Sequence, residues 1–261
     1  YDMKAGFIQA LYSMKALDRT RVALIATTDE ETGSATTRTL IEDVSKIAKA
    51  VLVLESAIDG KLKVGRKGTS WYRITIHGRA AHAGLEPEKG VNATVEVARI
   101  VNELTKLENK SLGTSVVPTT MTSGTTTNTV PALATLDIDS RSFSLDEMQR
   151  IDSAIRSITP NHPDARIEIA GGINRPPLET SATLPLYQLA EKLAKDAGIS
   201  TLGSASVGGA SDGNFAGQFT QVLDGLGAVG DGAHANHEHI LASTLEPRSK
   251  LLTLLVNEIL K

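Results

Sequence analysis

The chain has 261 residues, enough for one large domain or two smaller ones. Its net charge of −3 leaves no electrostatic footprint for nucleic acid, and zero Cys excludes thiolate metal sites, disulfides and thiol nucleophiles. No apolar run approaches the roughly 18 residues of a membrane span.

In chain order, Tyr1-Asp2-Met3 opens without an initiator Met, which reads as an internal position of a longer protein. Ala5 to Leu17 carries Phe7, Ile8, Leu11, Met14 and Leu17 at helical spacing. Val22 to Ala26 reads as a short buried strand, and three acids, Asp29-Glu30-Glu31, follow it. Thr36 to Ile47 reads as a helix, and Ala50 to Leu54 as a second apolar strand that ends at Glu55. The alternation predicts a parallel, helix-covered sheet.

The pattern changes after Gly65-Arg66-Lys67-Gly68. Ser70 to His77 alternates, with Trp71, Arg73, Thr75 and His77 on one face and Tyr72, Ile74 and Ile76 on the other. Val91 to Lys106 reads as an amphipathic helix, and Ser115 to Thr122 and Ala132 to Asp139 as strands. Leu145 to Ile158 reads as a helix opened by a Ser144/Glu147 capping box, and Arg166 to Ala170 as a last strand. Strand, helix, strand, strand, helix, strand is a ferredoxin-like split unit, here 69–172. Gly171-Gly172 and Pro176-Pro177 mark a hinge. A helix from Leu184 to Ala197, a glycine-rich stretch from Gly203 to Gly213, a strand from Gln221 to Leu226 and a helix from Leu245 to Leu260 complete the chain. The expected organisation is an α/β domain, 1–68 with 173–261, interrupted by an inserted α+β domain.

Asp2, Glu30, Glu31, Glu55 and His234 all stand at predicted strand ends or in loops. In a parallel sheet the carboxyl ends of the strands share one edge, so acids distant in sequence converge there. Carboxylates and imidazole without Cys suit Zn²⁺ or a similar dication, which also offsets the repulsion of adjacent acids. Taken singly, each feature has an ordinary reading. An acidic tripeptide is a solvated turn, Asp2 is a helix N-cap, and His234 and His82 are loop histidines. "GGASDGNFAG" lacks the following Lys of a phosphate loop.

The stretches "YDMKAG", "TTDEETGS", "VLVLES", "GRAAHAGLEPEKGVNA", "TNTVPALATLDIDSR", "GGASDGNFA" and "GAHANHEH" together resemble one family. It is the dinuclear zinc aminoacylase and carboxypeptidase family, which includes acetylornithine deacetylase and succinyl-diaminopimelate desuccinylase. The details are nearest to its carboxypeptidase G branch. The resemblance implies a phosphorylase/hydrolase-like zinc-exopeptidase catalytic domain with an inserted ferredoxin-like lid and dimerisation domain. It also implies two Zn ions per intact site, with Co or Mn as substitutes. Asp2 would bridge the metals, and Glu31, Glu55 and His234 would complete their ligands. Glu30 would be the general base toward a metal-activated water. His82 would stabilise the oxyanion across a homodimer interface. Arg141 would clamp the substrate carboxylate, with Asn128 and Arg175 as further substrate contacts and Gly208 and Gly209 lining the pocket.

The activity implied is release of a C-terminal amino acid, glutamate favoured, from an N-acyl, peptidyl or folate-like substrate, with no nucleic acid or membrane partner. The family's first metal ligand lies in a His-x-Asp motif upstream of the Asp2 position. The sequence as it stands is therefore expected to be one part of a cleaved, truncated or two-chain protein. The competing expectation is a non-catalytic fragment that acts only through its dimerisation domain. Periplasmic, secreted and cytoplasmic locations all remain open.

Overall fold

The computed structural model describes residues 1–261. Its elements are α1 (Lys4–Met14), α2 (Arg38–Ile47), β1 (Ala50–Leu52), β2 (Leu62–Arg66), β3 (Gly68–His77), α3 (Ala93–Leu104), β4 (Ser115–Ser123) and β5 (Leu133–Ser142). There follow α4 (Leu145–Arg156), β6 (Arg166–Arg175), α5 (Thr180–Ala194), β7 (Ser204–Val207), α6 (Gly213–Ala216), β8 (Gln221–Leu223), β9 (Gly230–Asp231), β10 (His239–Ile240) and α7 (Leu245–Ile259). The chain divides into a discontinuous unit, 1–67 with 176–261, and a continuous unit, 68–175. No helix is long and apolar enough to cross a membrane.

In the continuous unit a four-stranded antiparallel sheet runs in the order β4-β5-β3-β6, the ferredoxin-like arrangement. Its buried face follows from period-two alternation. Tyr72, Ile74 and Ile76 of β3 and Ala134, Leu136 and Ile138 of β5 all point into one core. Helix α3 covers that face with Ala93, Val97, Ile100 and Leu104, and α4 with Ile151 and Ile155. Asn92 caps α3, its Oδ1 accepting from the amides of Thr94 at 3.0 Å and Val95 at 3.3 Å. Ser144 caps α4 through the Glu147 amide at 3.4 Å. The return half of that capping box is not made. The Glu147 carboxylate takes the Thr114 hydroxyl at 2.9 Å and the Arg150 guanidinium at 2.8 Å instead.

Gly171 and Gly172 do not form the hinge read from the sequence; they lie inside β6. Gly171 has φ +89, and a Cβ there would fall 2.1 Å from the Trp71 carbonyl oxygen, so glycine lets β6 approach β3. The chain leaves the unit between Arg175 and Pro176.

In the discontinuous unit β1 pairs with β8 and β2 with β7, both parallel. The core is aliphatic. Leu62, Leu186, Ala190, Leu223, Leu251 and Leu255 join α5, α7 and the strands, and Phe215 with Val222 and Ile41 forms a second cluster. Helix α1 begins where the β1 segment ends, since a Cβ at Gly6 would fall 2.2 Å from the Leu54 carbonyl oxygen.

The predicted strand at Val22 to Ala26 is absent. The run has no regular secondary structure and no strand partner, and Leu24 and Ile25 are 38% and 36% exposed. An apolar run predicts burial only if another strand takes its backbone groups, and no strand of this chain runs beside it.

Ile100→Ala, which empties a fully buried site under the sheet, is expected to lower unfolding free energy by about 2–5 kcal/mol. Asn92→Ala is expected to cost about 1 kcal/mol through the lost cap. Urea denaturation followed by circular dichroism checks both values and their order.

Candidate metal centre

The three adjacent acids that follow the unpaired apolar run have separate duties. The Asp29 carboxylate faces the start of α2. It accepts from the Thr36 amide at 2.8 Å, the Thr36 hydroxyl at 2.7 Å and the Thr37 hydroxyl at 2.5 Å. Those hydrogen bonds hold its carboxyl well below the usual carboxylate range. Asp29 is thus the fixed end of the turn, and Glu30–Thr32 forms one 3₁₀ turn beyond it. Asp212, in the glycine-rich loop, grips the turn from the other side. It accepts from the Thr27 hydroxyl at 2.8 Å and the Ser34 hydroxyl at 2.5 Å.

Glu31 leaves this turn toward His234. His234 Nε2 lies 3.2 Å from Glu31 Oε1 and 3.3 Å from Asp2 Oδ2. One donor atom from each of Asp2, Glu31 and His234 falls within 4.8 Å of the other two. His234 has φ +61, a left-handed conformation uncommon for a non-glycine residue. Gly232 two residues earlier has φ +78, and a Cβ there would meet the His237 ring at 2.9 Å. The hydrogen bond and charge of Glu31, with the charge of Asp2, raise the His234 pKa. Asp2 does not cap α1. The N-cap position is Met3, and the Asp2 amide donates to Glu238 Oε1 at 2.8 Å.

Two carboxylates and an imidazole on one small surface repel or protonate in isolation and are satisfied by a divalent cation. The donor set contains oxygen and nitrogen only, which fits Zn²⁺, Co²⁺ or Mn²⁺. Three protein ligands also match the count of a catalytic site that keeps a position for substrate or water.

Glu55 stands outside this set, in a buried group of charges. Burial pushes its carboxyl up to about 7, helped by repulsion from Asp224 and opposed by Arg66 and Lys63. The cations lie 3.8 and 4.0 Å away, too far for a tight hydrogen bond, so desolvation prevails. Arg66 commits its guanidinium elsewhere. Nε and Nη2 grip Asp224 at 2.7 and 3.0 Å, and Nη1 donates to the carbonyls of Gly209 and Ala210 at 3.0 and 3.1 Å. Ser211 Oγ donates to Asp224 at 2.7 Å. Burial works to raise the Asp224 carboxyl, but the Arg66 and Lys63 charges reverse this and leave it lowered. Arg66, Asp224, Lys63 and Ser211 were not singled out from the sequence. The available signal was a charged residue inside the apolar run Gln221-Val222-Leu223-Asp224-Gly225-Leu226. Gly208 and Gly209 need no glycine for packing within this chain. A Cβ at Gly208 meets nothing within 4 Å, and one at Gly209 meets only Arg66 Nη1 at 3.8 Å.

The remaining predicted residues belong to the continuous unit. His82 and Asn128 are neighbours there, because the Ala83 amide donates to the Asn128 carbonyl at 2.9 Å. The Asn128 side chain accepts from Thr129 at 3.5 Å. Arg141 sets Nε and Nη2 on Asp139 at 2.9 and 3.0 Å, a two-pronged carboxylate grip. Arg175 is buried at the end of β6, 5% exposed, so contact with a substrate requires it to be uncovered.

Residues 64–166 match the peptidase dimerisation domain of the M20 family. The chain is 30% identical over 263 residues to carboxypeptidase G2 of Pseudomonas sp. strain RS-16, a match covering 95% of this chain and 62% of that enzyme. Residues 64–166 are thus similar to an M20 dimerisation domain, and the likeness to a carboxypeptidase runs over 95% of the chain. Two solved peptidase structures share the fold. An aminopeptidase, PepT, from Bacillus cereus superposes over 99% of this chain and 71% of its own, with a TM-score of 0.77 at 21% identity. A dinuclear metal-binding peptidase of the M20 family from Bacillus subtilis covers 88% of this chain and 63% of its own, with a TM-score of 0.68 at 16% identity. The chain spans 62% of the length of the carboxypeptidase it matches.

Asp2→Ala, Glu31→Ala and His234→Ala are each expected to weaken Zn²⁺ or Co²⁺ binding by at least about 10–100-fold in calorimetric titration. Asp43→Ala, on the solvent side of α2, should leave it unchanged. Asp224→Ala leaves the buried Arg66 charge unpaired and is expected to cost about 3–5 kcal/mol of unfolding free energy.

Proposed function

We propose that this chain carries the metal-binding part of an amidohydrolase that releases a C-terminal amino acid from an N-acyl or peptidyl substrate. The convergence of Asp2, Glu31 and His234, with Glu30 beside Glu31 in the same turn, carries the reading. The 30% identity to a carboxypeptidase supports the reaction class; glutamate as the amino acid released, from a folate-like or other N-acyl substrate, is the finer part of the proposal.

A divalent ion would be held by Asp2, Glu31 and His234 and would supply Lewis acidity toward the scissile carbonyl and toward water, and Glu55, outside this set, would serve a second ion. The chain's own residues then divide the work. Asp29 and Asp212 hold the turn that presents Glu30. Glu30 takes a proton from water as the water oxygen bonds to the carbonyl carbon. It returns that proton to the amine nitrogen as the C–N bond breaks, giving a carboxylate and a free amino acid. His82 donates a hydrogen bond to the oxygen that gains negative charge. Arg141 receives the terminal carboxylate. Its fork already rests on Asp139, so the substrate carboxylate shares or displaces that partner. The match to a dimerisation domain supports a homodimer formed through residues 68–175.

A second reading, a non-catalytic chain acting through dimerisation alone, draws on the same match. Metal content separates the two, because a dimerisation fragment has no need of Asp2, Glu31 and His234 at hydrogen-bond distances.

Glu30→Gln in the metal-loaded protein is expected to lower turnover of N-acyl glutamates by about 10²–10⁴-fold, with metal content unchanged. Near-normal turnover would remove Glu30 from the reaction.

A further inference from the structure

His82 is exposed and sits in a tight turn of the continuous unit. Its Nδ1 accepts from the Gly84 amide at 3.1 Å and from the Leu85 amide at 3.2 Å, the Leu85 N–H being shared with the His82 carbonyl at 3.3 Å. A ring nitrogen that accepts from backbone N–H groups uses its lone pair and carries no proton of its own. The neutral ring must then hold its proton on Nε2. That Nε2 makes no hydrogen bond within the chain, so a donor is turned outward without a protein acceptor.

The turn is anchored where it would otherwise swing. The Glu86 amide closes on the His82 carbonyl at 3.2 Å. The Ala83 amide donates to the Asn128 carbonyl at 2.9 Å, and the Val130 amide to the Ala81 carbonyl at 2.9 Å. These bonds flank the bridge between His82 and Thr129. Val130 is buried against Gly90, where an added Cβ would fall 2.7 Å from the valine side chain. The ring is therefore held by its nitrogen, by its own carbonyl and by a packed neighbouring strand segment. The backbone N–H groups that set it lie in the Gly84-Leu85 dipeptide.

We infer that the amides of Gly84 and Leu85 lock His82 as the Nε2–H tautomer, so that it serves only as a hydrogen-bond donor to an acceptor oxygen of the ligand. Gly84 and Leu85 are positioning residues in this scheme, acting through the imidazole. A ring so fixed does not take a proton at Nε2, and it does not bind a metal there without losing the N–H. This separates it from His234, whose Nε2 faces two carboxylates. The identity of the acceptor as the carbonyl oxygen under attack rests on the proposed function; the tautomer does not.

The tautomer is read directly by two-dimensional NMR of ¹⁵N-histidine-labelled full chain, at a pH where the imidazole is neutral and without metal or substrate. His82 is expected to show protonated Nε2 and unprotonated Nδ1, more completely than the same ring in the urea-unfolded chain. Gly84→Pro removes one of the two donors, and Gly84→Ala keeps both. A Cβ at Gly84 meets only the His82 ring, at 3.6 and 3.7 Å, so the alanine is accommodated. The proline variant is expected to lower the Nε2–H fraction, and in the metal-loaded protein to lower kcat about three- to tenfold with KM and metal content unchanged. The alanine variant should match wild type. An Nδ1–H ring in the folded chain, or a mixture equal to that of the unfolded chain, overturns the inference. So does a proline variant with a shifted tautomer and unaltered kcat. A wild-type protein without amidase activity counts against the proposed function alone, because the NMR measurement needs no turnover.

Discussion

A buried guanidinium organises the discontinuous unit. Arg66 ends β2 with 3% of its surface exposed, and its fork closes on Asp224, which is fully buried just after β8. An ion pair this deep contributes little net stability, because removing both charges from water costs about as much as their attraction returns. What it supplies is position. The same guanidinium holds the carbonyls of Gly209 and Ala210, Asp224 holds Ser211, and the next residue, Asp212, grips Thr27 and Ser34 on either side of the acidic turn. The geometry of Glu30 and Glu31 therefore traces back, one hydrogen bond at a time, to a charge pair in the core.

This arrangement explains how a chain tolerates so much negative charge in one place. Asp29 is held as a carboxylate by donors at the start of α2, burial favours the protonated form of Glu55 against the pull of Arg66 and Lys63, and Asp2 and Glu31 are left against a single imidazole. The first two are satisfied by the protein itself. The last are satisfied only by a proton on His234, whose pKa is raised accordingly, or by a cation in its place. The left-handed backbone at His234 fits a site where local strain is held by the surrounding fold.

The parts legible in the sequence were those set by periodicity or by a like-charge conflict. The alternation of β3 and β5 against the helical spacing of α3 predicts the split ferredoxin-like unit and its buried face. The acids and His234 are candidates in sequence because like charges beside an apolar run need a reason, although the run before Asp29, Glu30 and Glu31 pairs with no strand. The misses are equally physical. Val22 to Ala26 has the composition of a strand, but composition says nothing about whether a neighbour exists to bond it. Arg66 and Asp224 look like any surface charge until the fold buries them together. Asp29 is indistinguishable from Glu30 and Glu31 in sequence. Its structural duty depends on Thr36 and Thr37, which the chain brings back only through Gly33 and Ser34.

The central claim is that Asp2, Glu31 and His234 form one cation site in this chain. The most direct test is a crystal structure of the Co²⁺- or Zn²⁺-soaked protein with data collected at the metal's absorption edge. The account predicts an anomalous peak bonded to a carboxylate oxygen of Asp2, a carboxylate oxygen of Glu31 and Nε2 of His234. A metal held by other residues, or a soaked crystal in which these three side chains keep their direct contacts with no metal between them, would contradict it.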